Sequence, residues 1–178
     1  VNRRRLILAS TLLLPAMPAF AQSSSSLLNL FAGTGAGANA FVERVTIASN
    51  FEVDSSKTLL EKSIHPQIRD YATRMIADHT AILAELRALP DAATRLPAGL
   101  DDRTQEKLIR LRTFEGDELN RWYVQMQVDG HKETVEIFEA YAANGEVPRL
   151  KEFAQRHLPS MRAHLAAAEA LQGPRPPQ

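Results

Sequence analysis

The sequence predicts an all-α fold, an antiparallel, up-down-up-down four-helix bundle with an extra short helical segment between helices 2 and 3. Three observations predict it. Four long stretches carry apolar residues at helical spacing. Proline and glycine signals separate those stretches. No strand-like alternation appears in any segment.

The chain of 178 residues opens with Arg3-Arg4-Arg5, an apolar run from Leu6 to Phe20, and the small-x-small pattern Ala19-Phe20-Ala21. Residues 1–21 therefore read as a signal peptide cleaved after Ala21, and they are set aside from the fold. Pro15 and Pro18 interrupt the run, which is shorter than the roughly 20 apolar residues of a membrane span. Gln22, not cysteine, follows the cleavage point, so lipid attachment has no nucleophile. The expected location is the periplasm, with no transmembrane segment after cleavage. Arg3 to Ile7 also fits the pattern of a twin-arginine signal, an alternative export route.

Removing Arg3, Arg4 and Arg5 leaves 18 basic residues against 21 acidic ones, a charge of about −3. Without a basic block, nucleic acid is not an expected partner. An envelope protein or a second copy of the chain is the partner class left open. There is no cysteine, which excludes disulfides, iron–sulfur clusters, covalent haem and thiol catalysis together.

Residues 22–37 are rich in Ser and Gly and read as a flexible leader. The bundle domain is expected over 38–172. Helix 1 runs from about Ala38 to Lys62, with Phe41, Val45, Ala48, Glu52 and Leu59 on one face. Pro66 suits the first turn of helix 2, whose stripe is Ile68, Tyr71, Ala72, Met75, His79, Ile82, Leu86 and Leu89. Pro90 and Pro97 mark a connection. Asp101 and Asp102 can cap a short segment with Leu108, Leu111 and Phe114 on its face. Helix 3 starts near Asp117 behind Gly116 and ends at Asn144-Gly145. Its Trp122 and Tyr123 read as core. The last helix starts at Pro148 and carries Leu150, Phe153, His157, Met161, His164 and Leu171, with a bend expected at Pro159. Residues 173–178 form a tail.

In such a bundle the turn between helices 1 and 2 and the turn at Gly145 share one end. Counted from that end, at 1.5 Å per residue, Glu52, His79, His131 and His164 fall within roughly 10 Å of depth. One carboxylate and three imidazoles are a ligand set for a divalent transition metal. The competing reading is a structural cluster that hydrogen-bonds across the core. No Glu-x-x-His pair of the di-iron bundles is present. Asp78 and His79 are adjacent, so their side chains point about 100° apart and are not expected to face one site. A haem pair of His79 or His131 with Met75, Met126 or Met161 is selected by nothing in the pattern. No serine stands in a nucleophile motif.

The stretches RMIADHT (74–80), NRWYVQMQVDGH (120–131) and LKEFAQRHLPSMRAHL (150–165), in this order, resemble the domain of unknown function 4142 family. The resemblance covers about residues 38–172. It implies an exported bacterial protein of ferritin-like four-helix bundle type, a family often labelled predicted outer membrane protein, and it brings no reaction. The family's Asp-His falls on Asp78 and His79, its third-helix histidine on His131, and its Leu-Pro and following histidine on Leu158, Pro159 and His164. Leu119-Asn120 departs from the family's Phe-Asp.

The preferred expectation is a non-enzymatic envelope protein acting in binding or stress protection, because the ligand set is incomplete by known templates. The alternative is a ferritin-like metal-binding protein using Glu52, His79, His131 and His164. A literal outer-membrane protein is disfavoured, since the mature chain has neither a span nor a barrel pattern.

Overall fold

The computed structural model describes residues 36–93, 96–97 and 99–172. The expected signal peptide, the leader up to residue 35 and the tail 173–178 lie outside the described residues. Six helices and no strand are found among the described residues: α1 (Ala36–Lys62), α2 (Pro66–Ala88), α3 (Pro90–Ala93), α4 (Asp102–Leu111), α5 (Gly116–Asn144) and α6 (Pro148–Gln172). No helix among them is long and apolar enough to cross a membrane.

The boundaries follow local chemistry. Pro66 opens α2 where a missing N–H costs nothing. Asp101 caps α4, its carboxylate accepting from the Thr104 backbone N–H at 2.8 Å. Gly116 begins α5 at φ +54°, a left-handed conformation that side-chain-bearing residues adopt at a cost. Gly145 ends α5, as the sequence predicts, but not through a left-handed conformation. Its φ is −57°, and a Cβ there would come within 2.6 Å of the Tyr141 ring and carbonyl. The position needs space rather than backbone freedom. Helix α1 starts at Ala36, two residues before the expected start. Pro159 lies inside a continuous α6.

The directions of the helices correct the expected topology. The Ala38 N–H donates to Glu146 at one end of α1, and Ser63 Oγ donates to Asn120 Oδ1 at the other. Arg44 pairs with Glu133 and Ser56 meets Tyr123 between those ends. So α1 is antiparallel to α5, whereas an up-down-up-down bundle makes them parallel. The same pairing logic runs α2 against α6, through Asp78–His164 and Glu85–His157. It runs α5 against α6 through Glu139–Arg162 and Lys132–Glu169. The observed order is up-down-down-up. The turn at Gly145 and the α1–α2 turn lie at opposite ends.

The cause is the segment 89–115, which returns along the bundle instead of turning tightly. With 29 residues, α5 is about 44 Å long. The segment covers that distance easily at roughly 3.3 Å per extended residue, even with α4 helical. The apolar core divides accordingly. One cluster joins Phe41, Val45, Leu86, Phe138, Tyr141, Leu150 and Phe153. The other joins Leu59, Ile68, Met75, Leu111, Leu119, Tyr123 and Val128. Between them lies a layer of buried polar side chains: Ser49, Glu52, Ser56, His79, Gln127, His131 and His164.

Candidate metal centre

Helices α2, α5 and α6 each deliver one histidine into that layer. His79 and His131 are 1% exposed and His164 is 3% exposed. One ring nitrogen of each lies within 4.8 Å of the others. The ring centroids stand 5.4 to 5.6 Å apart, so the three rings surround a common point.

The second nitrogen of each ring is tied to the scaffold. Nδ1 of His131 lies 2.9 Å from the Gln127 carbonyl. A carbonyl only accepts, so Nδ1 carries the proton and Nε2 presents a lone pair. Nε2 of His164 donates to Asp78 Oδ2 at 2.8 Å, which leaves Nδ1 of the neutral ring with the lone pair. Nδ1 of His79 lies 3.2 Å from Ser49 Oγ, and a hydroxyl serves either as donor or acceptor. The remaining nitrogens, Nε2 of His79, Nε2 of His131 and Nδ1 of His164, are buried with no hydrogen-bond partner from the protein. Buried polar atoms rarely stand alone, and three together point to something the protein groups do not supply.

Burial also sets the charge state. It pushes His79 well below the usual histidine range, helped by the neighbouring His131 and His164. It lowers His131 to about 4, against a partial upward pull from the Gln127 carbonyl. It lowers His164 too, while Asp78 pulls it back up. At neutral pH the three rings are uncharged, the form that binds metal.

Glu52 does not join the three. Its Oε1 is 3.9 Å from Nδ1 of His131, the nitrogen committed to Gln127. Burial raises its carboxyl to about 8, with Gln127 and Lys107 pulling the other way. It approaches α5 where Gly130 has no side chain, and a Cβ there would stand 3.4 Å from Oε1. On its outer side a cleft of about 150 Å³ between α1, α4 and α5 is lined by Phe51, Glu52, Lys107, Met126 and Thr134 among others. Thus the four expected ligands divide into a triad and a neighbouring acid.

The expected depth match survives the topology error because the three histidines sit near the middle of the bundle, between the two apolar clusters. Three participants were missed: Asp78, Ser49 and Gln127. Ser49 was visible as a polar residue spaced seven from Val42 and three from Glu52 on the inner stripe of α1. Gln127 precedes His131 by one helical turn on α5. For Asp78 the 100° argument was sound but incomplete, since it reaches the site through His164 on the facing helix. His157 instead pairs with Glu85. Met75 and Met161 belong to opposite apolar clusters, and Met126 lines the cleft. The Leu119-Asn120 departure lies at the α1–α2 turn end, where Leu119 is core and Asn120 accepts from Ser63 at 2.6 Å. It leaves the triad untouched.

Neither a curated protein nor a solved structure matches the chain. The family described as "Domain of unknown function (DUF4142)" matches residues 31–171, a span that holds the three histidines, Asp78 and the four long helices but for the last residue of α6. The chain belongs to the DUF4142 family.

Proposed function

We propose that this chain is an exported ferritin-like bundle that binds one divalent transition-metal ion through His79, His131 and His164. The observation that carries the reading is the triad of buried ring nitrogens lacking any partner while each opposite nitrogen is anchored. Metal-bound histidines are held in this way, with the other ring nitrogen fixed by a carboxylate or carbonyl. With His79 Nδ1 donating to Ser49, three lone pairs face one another and repel, and a cation reverses the sign of that interaction. Three imidazoles and no thiolate suit zinc or copper(II), with one position left for a further ligand. A single long crossover and inward-projecting ligands also support the ferritin-like assignment.

A binding role is favoured over a catalytic one by the enclosure of the triad. An apolar cluster flanks the triad on each side along the bundle, and the cleft described above opens on Glu52, behind the His131 ring. This takes up the alternative sequence-based expectation, a metal-binding bundle, in place of the preferred one, which rests on an incomplete ligand set. The test is titration of tag-free protein with Zn²⁺, Cu²⁺ and Co²⁺, read by elemental analysis and calorimetry. One ion per chain is expected, lost in His79→Ala/His131→Ala with helical content retained. A ligand that binds only the native state raises the melting temperature by mass action. No bound ion at saturating metal would overturn the proposal. Export is tested separately, by fractionating cells that express the full chain.

A further inference from the structure

Among the three anchors of the triad, one reaches the surface. Ser49 is 2% exposed and Gln127 is fully buried. The side chain of Asp78 is 45% exposed, while its carboxylate holds His164. Along the bundle an apolar cluster flanks the triad on each side. The α1–α5 face is overlaid by α4, whose Thr104 and Lys107 line the cleft above Glu52. On the α2–α6 face a half-exposed side chain, that of Asp78, holds a ring of the triad.

From this placement we propose that metal reaches the triad through the α2–α6 face, with Asp78 as the capturing ligand and His164 as a swinging gate. The inference rests on the metal-binding reading above. A hydrated divalent cation meets the exposed Asp78 carboxylate first, and an oxygen ligand is suited to an ion still carrying water. Binding there competes with the Nε2–H of His164, so the ring loses its anchor and turns aside. The gap exposes the lone pairs of His79 and His131. When His164 returns, Nδ1 closes the site and Nε2–H bonds Asp78 again. Release runs the same steps backwards.

The backbone around His164 fits such a motion. Pro159, little more than one turn earlier in α6, has no N–H for the Gln155 carbonyl, so this helix lacks a rung of its ladder. His79 and His131 stand on helices α2 and α5, which carry no internal proline. The moving element is therefore the one with the weaker local ladder and the solvent-reaching anchor.

The experiment is stopped-flow binding of Co²⁺ or Zn²⁺ to the full chain, with dissociation followed into a chelator. Asp78→Asn keeps shape and a hydrogen-bond acceptor but removes the charge. Association is expected to slow at least tenfold, the scale of electrostatic steering, with the absorption spectrum of the final Co²⁺ complex unchanged. Asp78→Glu restores much of the rate. Ser49→Ala, which removes the other side-chain anchor, is expected to leave association unchanged and to weaken binding through faster release. An unchanged association rate in Asp78→Asn, with affinity lost only through release, would overturn the gate and leave Asp78 as a positioning residue. Wild-type protein that takes up no metal at equilibrium would instead overturn the metal-binding reading itself. If Asp78→Asn fails to fold by circular dichroism, the salt dependence of wild-type association decides. Steering by an exposed carboxylate predicts a clear decline between low and physiological ionic strength, and a flat response counts against capture.

Discussion

Asp78 and His164, 86 positions apart and on facing helices, share a 2.8 Å hydrogen bond from Nε2 to a carboxylate oxygen. That bond determines which nitrogen of His164 faces His79 and His131. The neighbouring residue, His79, enters the triad directly. Two adjacent positions on one helix turn therefore serve one centre, the first through a partner and the second by itself.

The anchors prescribe tautomers. In metal-free protein at pH 7, His131 is expected as the Nδ1–H form and His164 as the Nε2–H form, because a carbonyl and a carboxylate only accept. Imidazole nitrogen NMR on labelled protein reads this directly. Identical tautomers at both positions would contradict the arrangement.

Acid should destabilise the metal-free fold through the triad. Its histidines have folded pKa values below the usual 6.5, so the unfolded chain binds more protons as pH falls. Their stabilising contribution is present above about 6.5 and is lost as pH drops toward about 4, the value for His131. Urea unfolding at pH 7, 5.5 and 4.5 should give progressively lower midpoints. A His131→Gln variant should show a shallower decline. Bound metal should shift the acid limb to lower pH, because protons and metal compete for the same lone pairs.

Glu52 acts with the opposite sign. Its folded carboxyl titrates near 8 instead of 4.5, so the native state holds its proton longer than the unfolded chain. Its effect on stability is therefore best below 4.5 and declines as pH rises through 8. Glu52→Gln removes the charge and should raise stability at pH 9 by about 2 kcal/mol, with little change at pH 4. Denaturation at the two pH values checks this, and an equal effect at both would reject it.

Two glycines predict contrasting substitutions. Gly145→Ala should destabilise by about 1–3 kcal/mol, since its Cβ overlaps Tyr141. Gly130→Ala gains helix propensity of about 1 kcal/mol, and its Cβ would stand in ordinary contact 3.4 Å from Glu52 Oε1. It should be stabilising both alone and with Glu52→Ala. A double-mutant cycle on thermal unfolding checks this, and a coupling above about 0.5 kcal/mol would reject it.

Helix positions, starts and inward stripes were legible in the chain because they are local: a 3.6-residue period, Pro66, Asp101 and Pro148. The inward placement of Glu52, His79, His131 and His164 was legible for the same reason. Helix direction was not local. The segment 89–115 is long enough to turn back or to cross the bundle. Packing of Leu111 into the cluster with Leu59, Met75 and Leu119 selects crossing. Only that three-dimensional choice sets α1 against α5 and α2 against α6. It thereby decides that Asp78 meets His164, that Glu52 stands behind His131, and that three unpartnered ring nitrogens converge, because each is a contact between side chains that no single helix contains.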